Sequence, residues 1–164
     1  MTRKDTQNEL RQRAEEYAIR HALTLERSLG FGNDGAVWET SVGTALKIEE
    51  RQSGFDRELG CYLRLQRNDV AEIHGFAVPQ LVNYDTALWA VEMTFVFPPC
   101  ILDFAKSYLD RPPDYGSEVL AEWEEQTQEL FGEQWLLVRR LLNSLRAHGI
   151  YYFDAKLSNI RFEN

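Results

Sequence analysis

Only two cysteines occur in the 164 residues, Cys61 and Cys100. They lie far apart in apolar surroundings and match no metal-ligand spacing, which excludes a disulfide framework and a cysteine-based zinc site. Both are expected as buried free thiols. Positive charge is scarce as well. Lys and Arg number 18 against 26 Asp and Glu, a net charge of −8. A surface of that sign gives no broad grip on nucleic acid or anionic lipid, so neither nucleic acid nor a membrane is an expected partner. It leaves room for a nucleotide in a local pocket, where backbone N–H groups and one or two lysines do the binding. No apolar run approaches the roughly 18 residues that would span a bilayer. The opening MTRKDTQNEL has no apolar core and does not read as a signal peptide. The expected setting is a reducing cytoplasm. Internal repeats and low-complexity tracts are also missing. Against these absences, 44% of residues are apolar and 12% aromatic, enough for one ordinary domain or two small packed lobes.

The periodicity changes along the chain. Residues 5–22 carry Leu10, Ala14, Tyr17, Ala18 and His21 at helical spacing. Residues 24–50 break into short β-rich runs, TLERSLGFG, GAVWET and TALKIEE, with a tight turn at Ser41-Val42-Gly43, which predicts an antiparallel meander. Residues 53–67 return to helical spacing through Phe55, Leu59, Tyr62, Leu63 and Leu65. Strands are expected at 80–85 and 88–96, and Pro98-Pro99 stops the sheet. A short helix is expected at 101–109. Residues 117–147 read as one long helix, or two joined near Gly132, with Leu120, Trp123, Phe131, Trp135, Val138, Leu142 and Leu145 as its buried stripe. The last segment, GIYYFDAKLSNIRFEN, reads as a loop ending in a short strand. Strands with one inserted helix, followed by helices, predict an α+β fold in two layers or lobes with a boundary at Pro98-Pro99.

Four patterns can carry chemistry. The run Gly30-Phe31-Gly32-Asn33-Asp34-Gly35-Ala36-Val37 places three glycines at a bend. A dinucleotide-binding GxGxxG opens a helix. Here the glycines lead into a strand, so they mark either a plain flexible hairpin or a backbone able to close over phosphates. Lys47 sits inside the apolar strand Ala45-Leu46-Lys47-Ile48. It either snorkels to the sheet edge or points at an anion beneath the glycine hairpin. Glu58, eleven residues on, is either a solvated helix glutamate or a buried partner that keeps Lys47 charged and aimed. The fourth pattern is Asp154-Ala155-Lys156-Leu157-Ser158-Asn159, preceded by Ile150, Tyr151, Tyr152 and Phe153. It is either an Asx-type turn or a catalytic loop, in which Asp154 takes a hydroxyl proton, Lys156 sits on a transferring phosphoryl and Asn159 binds Mg²⁺.

In this order and on these elements, the four patterns resemble the protein-kinase-like superfamily: a Gly-rich loop, a strand lysine, a helix glutamate, then D-x-K-x-x-N and DFG. The resemblance covers about residues 24–163. It implies an N-lobe with an antiparallel β-sheet and one αC-like helix at 24–97, a truncated and mainly helical C-lobe at 98–164, and an extra amphipathic helix at 1–23. It implies ATP and Mg²⁺ as cofactors, with Gly30, Gly32, Gly35 and Val37 around the nucleotide and Lys47 paired to Glu58. Asp154 is then the catalytic base, Lys156 its companion and Asn159 a metal ligand. Glu92 to Val96 would offer backbone groups to an adenine. Two departures qualify this. Tyr152 and Phe153 stand where His and Arg precede the catalytic Asp, and the sequence given ends at Asn164, before any DFG. A second metal ligand would then come from a partner chain or an unusual position such as Glu163. The resemblance therefore implies one of three things: a phosphotransferase acting on a hydroxyl, an inactive pseudokinase-like nucleotide- or partner-binding module, or a kinase remnant. The apolar stripe at Trp123, Trp135 and Leu142 is expected either to leave an exposed apolar patch on the second lobe or to be covered by the first helix, a partner protein or a second copy of the chain. An unrelated α+β interaction protein would leave Lys47 and Glu58 apart.

Overall fold

The helix expected at 5–22 runs from Arg3 to Arg20 (α1) in the computed structural model, which describes residues 1–164. A capping box starts it: Thr2 Oγ1 accepts the Asp5 N–H at 3.2 Å, and the Asp5 carboxylate accepts the Thr2 N–H at 2.8 Å. The meander follows as β1 (Leu25–Phe31), β2 (Gly35–Thr40) and β3 (Thr44–Glu49). Next come α2 (Gln52–Arg67), the short strands β4 (Glu72–Ile73) and β5 (Phe76–Ala77), then β6 (Leu81–Asp85) and β7 (Ala90–Thr94). The main sheet has the order β1-β2-β3-β7-β6 with every pair antiparallel.

The two-residue period of β3 gives the sheet two working faces. Leu46 and Ile48 point to one side, where Leu10, Ala14 and Tyr17 of α1 cover them together with Ala36, Trp38 and Ala90. Ala45 points to the other, into the larger core with Phe55, Leu59 and Tyr62 of α2. Lys47 shares that second parity. On the α1 side, buried Glu92 accepts hydrogen bonds from Tyr17 Oη at 2.8 Å and Thr44 Oγ1 at 2.6 Å, which satisfies its charge and docks the helix.

The expected helix at 101–109 does not form. The chain instead makes β8 (Cys100–Ile101), a turn in which Asp103 has φ 62°, and β9 (Ser107–Leu109). Two helices, α3 (Ser117–Phe131) and α4 (Trp135–Ala147), flank a short 3₁₀ turn, and Gly132 with φ 53° sits at the break. The chain closes with β10 (Ile150–Tyr152) and β11 (Ile160–Arg161). Long-range pairing explains the lost helix. β9 pairs with β10, and β8 pairs with β11 and runs parallel to β5, so tertiary partners override the local helical preference.

The apolar stripe at 117–147 is covered within the chain at its centre and only half-buried at Leu120, Trp123 and Leu142. Phe131, Trp135, Val138 and Leu145 are buried, Leu142 is half-buried, and the half-buried Trp123 ring lies 5.1 Å from Phe153. α1 does not cover this stripe, since it packs on the sheet, and Val119, Leu130, Leu136 and Leu137 stay exposed on the same two helices, the exposed apolar patch that is one of the expected outcomes. Cys61 and Cys100 are both buried and free, and burial pushes the Cys61 thiol up to about 12, so it is inert as a nucleophile. No helix is long and apolar enough to cross a membrane.

Candidate functional site

Lys47 is 6% exposed and meets three carboxylates. Its Nζ lies 2.6 Å from Glu58 Oε2, 2.8 Å from Glu49 Oε1 and 3.1 Å from Asp103 Oδ1. Sequence geometry accounts for two of these. Glu49 is two residues along β3 and so shares the Lys47 face. Glu58 lies on the buried side of α2, three residues from Phe55 and four from Tyr62, so the side chains that dock the helix also carry the glutamate inward. Asp103 arrives through the turn between β8 and β9. Burial opposes the Lys47 charge, but Glu58, Glu49 and Asp103 outweigh it and hold the ammonium well above its usual range. One cation does not balance three acids. Burial, with Glu49 and Asp103 beside it, pushes Glu58 well above the carboxylate range despite Lys47. Asp103 goes the other way: burial raises it, but Lys47 and the Ala105 N–H bring it below the ordinary value.

The glycine bend roofs this cluster. Gly30 pairs with Val37 across β1 and β2, and Val37 sits opposite Lys47 in the β2–β3 register, half-buried on the same face. Gly32 donates its N–H to Gly35 O at 2.9 Å, closing the turn. The N–H groups of Asn33 and Asp34 at the tip donate to nothing in the chain. The three glycines differ in what holds them. A Cβ on Gly35 would meet the Ile48 carbonyl oxygen at 2.1 Å, whereas Gly30 and Gly32 have nothing within 4 Å of that position. Gly35 is thus required by the hairpin itself, and the other two leave open space over the site. Gly35→Ala is expected to cost about 1–3 kcal/mol by overpacking. Gly32→Ala should stay within about 0.5 kcal/mol of wild type. Thermal melts of the two variants measure the difference.

The loop between β10 and β11 supplies the rest. Asp154 is 9% exposed and Asn159 6%. Asn159 Nδ2 donates to Asp154 O at 3.0 Å and to Asp154 Oδ2 at 2.8 Å, which fixes the acid and leaves the Asn159 amide oxygen without a hydrogen bond. Lys156 Nζ stands 3.6 Å from Asp154 Oδ1. The fold also brings oxygens of Asp34, Asp103 and Asp154 within 4.8 Å of one another. Lys106 Nζ reaches both Asp34, at 3.4 Å, and Asp154, at 3.9 Å. The four sequence patterns therefore meet at one place. Phe95 and Val96, past the end of β7, make no backbone hydrogen bond, while Glu92 lies in the β7 ladder and Thr94 donates to Gln80 O. Glu163 is exposed and lines a separate cavity with Pro98 and Leu157, away from the acids. Sequence reading missed Asp34, Glu49, Asp103 and Lys106. The one available signal was for Glu49, as an acid two residues from Lys47 on a strand.

No family model and no curated protein matches the chain. Among solved structures it is similar to a chain in "Structure of the streptomycin-ATP-APH(2")-IIa ternary complex". The TM-score is 0.39 and the sequence identity 12%, over 73% of this chain and 36% of that one. The chain thus spans about a third of the length of that protein. At this score the likeness is one of coarse arrangement, and the functional reading rests on the site itself.

Proposed function

We propose that the chain binds ATP beneath the glycine bend and passes its terminal phosphoryl group to a hydroxyl acceptor. The observation that carries this reading is the buried Lys47–Glu58 pair at 2.6 Å, under the glycine bend and joined through Asp103 to the acid cluster that contains Asp154. In this reading residues 24–97 and 98–164 act as two lobes with the nucleotide between them, and Phe95 and Val96 offer free backbone groups to its base. Lys47 holds the inner phosphates and Glu58 aims it. Asp154 accepts the proton of the acceptor hydroxyl as its oxygen bonds to the terminal phosphorus, and the bond from that phosphorus to the bridging oxygen breaks with its electron pair leaving on ADP. Lys156 offsets charge on the moving group.

The residues present fit a hard divalent cation. Asp34, Asp103 and Asp154 converge as an all-oxygen donor set, and Asn159, bonded to Asp154 through Nδ2, keeps its amide oxygen free as a further donor in the same loop. The excess of acid over base around Lys47, with Glu58 Oε1 buried and unpartnered, is the imbalance that a cation relieves. Bound there, Mg²⁺ supplies charge neutralisation for the phosphates. Asp103 takes the part of the second acidic ligand that the sequence reading assigned to a DFG motif or to Glu163.

The thermal midpoint with ATP tests this. A ligand at a hundred times its dissociation constant stabilises by about 2.7 kcal/mol, roughly 5–10 °C for a chain of this size. The shift should need Gly32 and Asp103 and shrink in EDTA. An unchanged midpoint at millimolar ATP and Mg²⁺ sinks the proposal. A second reading, a nucleotide-binding module without transfer, is favoured by the occupation of Lys47 by three carboxylates. An ATP shift with no ADP formed in the presence of any acceptor would select it.

A further inference from the structure

A cavity of about 490 Å³ opens beside the cluster, between the glycine bend, the start of α2 and β9. Besides Asp34 and Lys106, which pair with each other at 3.4 Å, its lining offers three kinds of group. Arg51 and Arg57 stand at the start of α2, and neither has a carboxylate within ion-pair distance, although acids outnumber bases in this chain. Arg57 is held in place by its stacking over the Tyr108 ring, 5.1 Å to the centroid, and by a 3.4 Å bond to Ala105 O. The α2 N-terminus adds to this field. Arg51 is its N-cap residue without a side-chain cap, and the N–H groups of Ser53 and Gly54 donate to nothing in the chain. The second kind is aromatic: Tyr108, Tyr115 and Phe153 form one wall, with Tyr115 and Phe153 ring centroids 5.6 Å apart. The third is Glu49, 1% exposed, whose Oε1 is held by Lys47 at 2.8 Å and whose Oε2 has no partner in the chain. A buried acceptor beside a cavity in this way has one oxygen left for a donor from a ligand.

We propose that this cavity is the acceptor site, and that it takes a hydroxylated ring compound bearing one anionic group. The proposal rests on the phosphotransfer reading. The anion, a phosphate or a carboxylate, lies against Arg51 and Arg57. The ring packs on Tyr108, Tyr115 and Phe153, a hydroxyl donates to Glu49, and another hydroxyl reaches toward Asp154. Asp34 and Lys106 both line the cavity, with an Asp34 oxygen within 4.8 Å of an Asp154 oxygen and Lys106 Nζ 3.9 Å from Asp154 Oδ1, so the base stands next to the cavity wall. The volume suits a ligand of sugar-phosphate size. A polycationic acceptor would meet two unpaired arginines and is disfavoured.

Titration calorimetry on the full chain without nucleotide tests this, using glucose 6-phosphate, glucuronate, glucose, streptomycin and inorganic phosphate. At least one of glucose 6-phosphate and glucuronate should bind at least tenfold more tightly than glucose, and streptomycin should give no heat. The doubly substituted Arg51→Gln, Arg57→Gln chain should lose that tenfold preference while keeping its thermal response to ATP. Arg51→Gln alone, at an exposed position, should show a partial loss with the fold undisturbed. Equal affinity in the double variant, stronger binding of streptomycin, or no binding of either anionic sugar at 10 mM overturns the proposal. So does inorganic phosphate binding that needs Lys47 but not Arg51, because the anion seat would then belong to the nucleotide. An anionic sugar held by the arginines in a chain with no ATP response would support the anion site and remove the phosphotransfer reading.

Discussion

Lys47→Met should unfold the protein about 10 °C below wild type at pH 8. The substitution removes the cation from a buried group of acids, and removing one partner of a buried ion pair costs about 3–5 kcal/mol because the remaining charge is left uncompensated. At this chain length each kcal/mol corresponds to about 2–4 °C. The loss should depend on pH in a definite direction. Without the ammonium, Glu49, Glu58 and Asp103 face one another in a low-dielectric interior, so their folded-state affinities for protons rise. A carboxyl whose folded pKa is raised contributes stability below its unfolded value, near 4, and loses it as pH rises toward the folded value. The variant should therefore lie closest to wild type near pH 5 and farthest from it at pH 8. Glu58 in the wild type already has a raised pKa from burial and from Glu49, so the same sign applies to it. Glu58→Gln should then cost little stability in the free protein, and it should partly rescue Lys47→Met. A double variant as unstable as the sum of the two single changes would show that the three acids do not act as one charge group. Melting curves for the four chains at pH 5 and pH 8 measure all of this.

How much of this site the sequence disclosed depended on the distance over which each residue finds its partner. Strand parity and helix periodicity leave Lys47 and Glu58 with two readings each, and only the resemblance pairs them; in the fold the two meet because Lys47 shares the Ala45 face of β3 and Glu58 the buried side of α2. The three strands of the meander and the long amphipathic α2 were legible because both periods act over a few residues. Asp103 was not. Its segment, ILDFAKSYL, has the composition of a helix, and nothing nearby says that β11, some sixty residues on, pairs with Cys100 and Ile101. The same holds for Lys106, whose partners Asp34 and Asp154 lie on the glycine bend and the last loop. Helix α1 was recognised from its spacing, yet the face it covers follows from Glu92, whose need for Tyr17 and Thr44 appears only once the sheet is built. The acceptor cavity is a further case. Arg51 and Arg57 look like ordinary solvated helix residues until β9 brings Tyr108 beneath Arg57 and no acid arrives for either.

Asp154→Asn should abolish most phosphoryl transfer, by about 10²–10⁴-fold in kcat, the usual contribution of a positioned general base. An ATP-induced rise in midpoint should persist, because Lys47, the bend at Asn33 and Asp34, and Asp103 are untouched, and should shrink only in its Mg²⁺-dependent part, since one charged oxygen of the Asp34, Asp103 and Asp154 group is lost. The geometry argues for a clean separation. Asn159 holds Asp154 through both its backbone carbonyl and its Oδ2, so the side chain is fixed before any substrate arrives. An asparagine at 154 still accepts from Asn159 through its amide oxygen, but it turns an NH₂ group toward the position from which Asp154 Oδ1 would take a proton, and an amide cannot act as the base. Asn159→Ala should have a different profile. Asp154 keeps its carboxylate but loses its anchor, so transfer should fall less than in Asp154→Asn, and the Mg²⁺ dependence of ATP binding should weaken, since the free amide oxygen of Asn159 is lost as well. Single-turnover ADP formation and melting midpoints at several Mg²⁺ concentrations separate the two variants. Equal rates for Asp154→Asn and wild type would remove Asp154 from the chemistry and leave the loop between β10 and β11 a structural closure held by the Asn159–Asp154 hydrogen bonds.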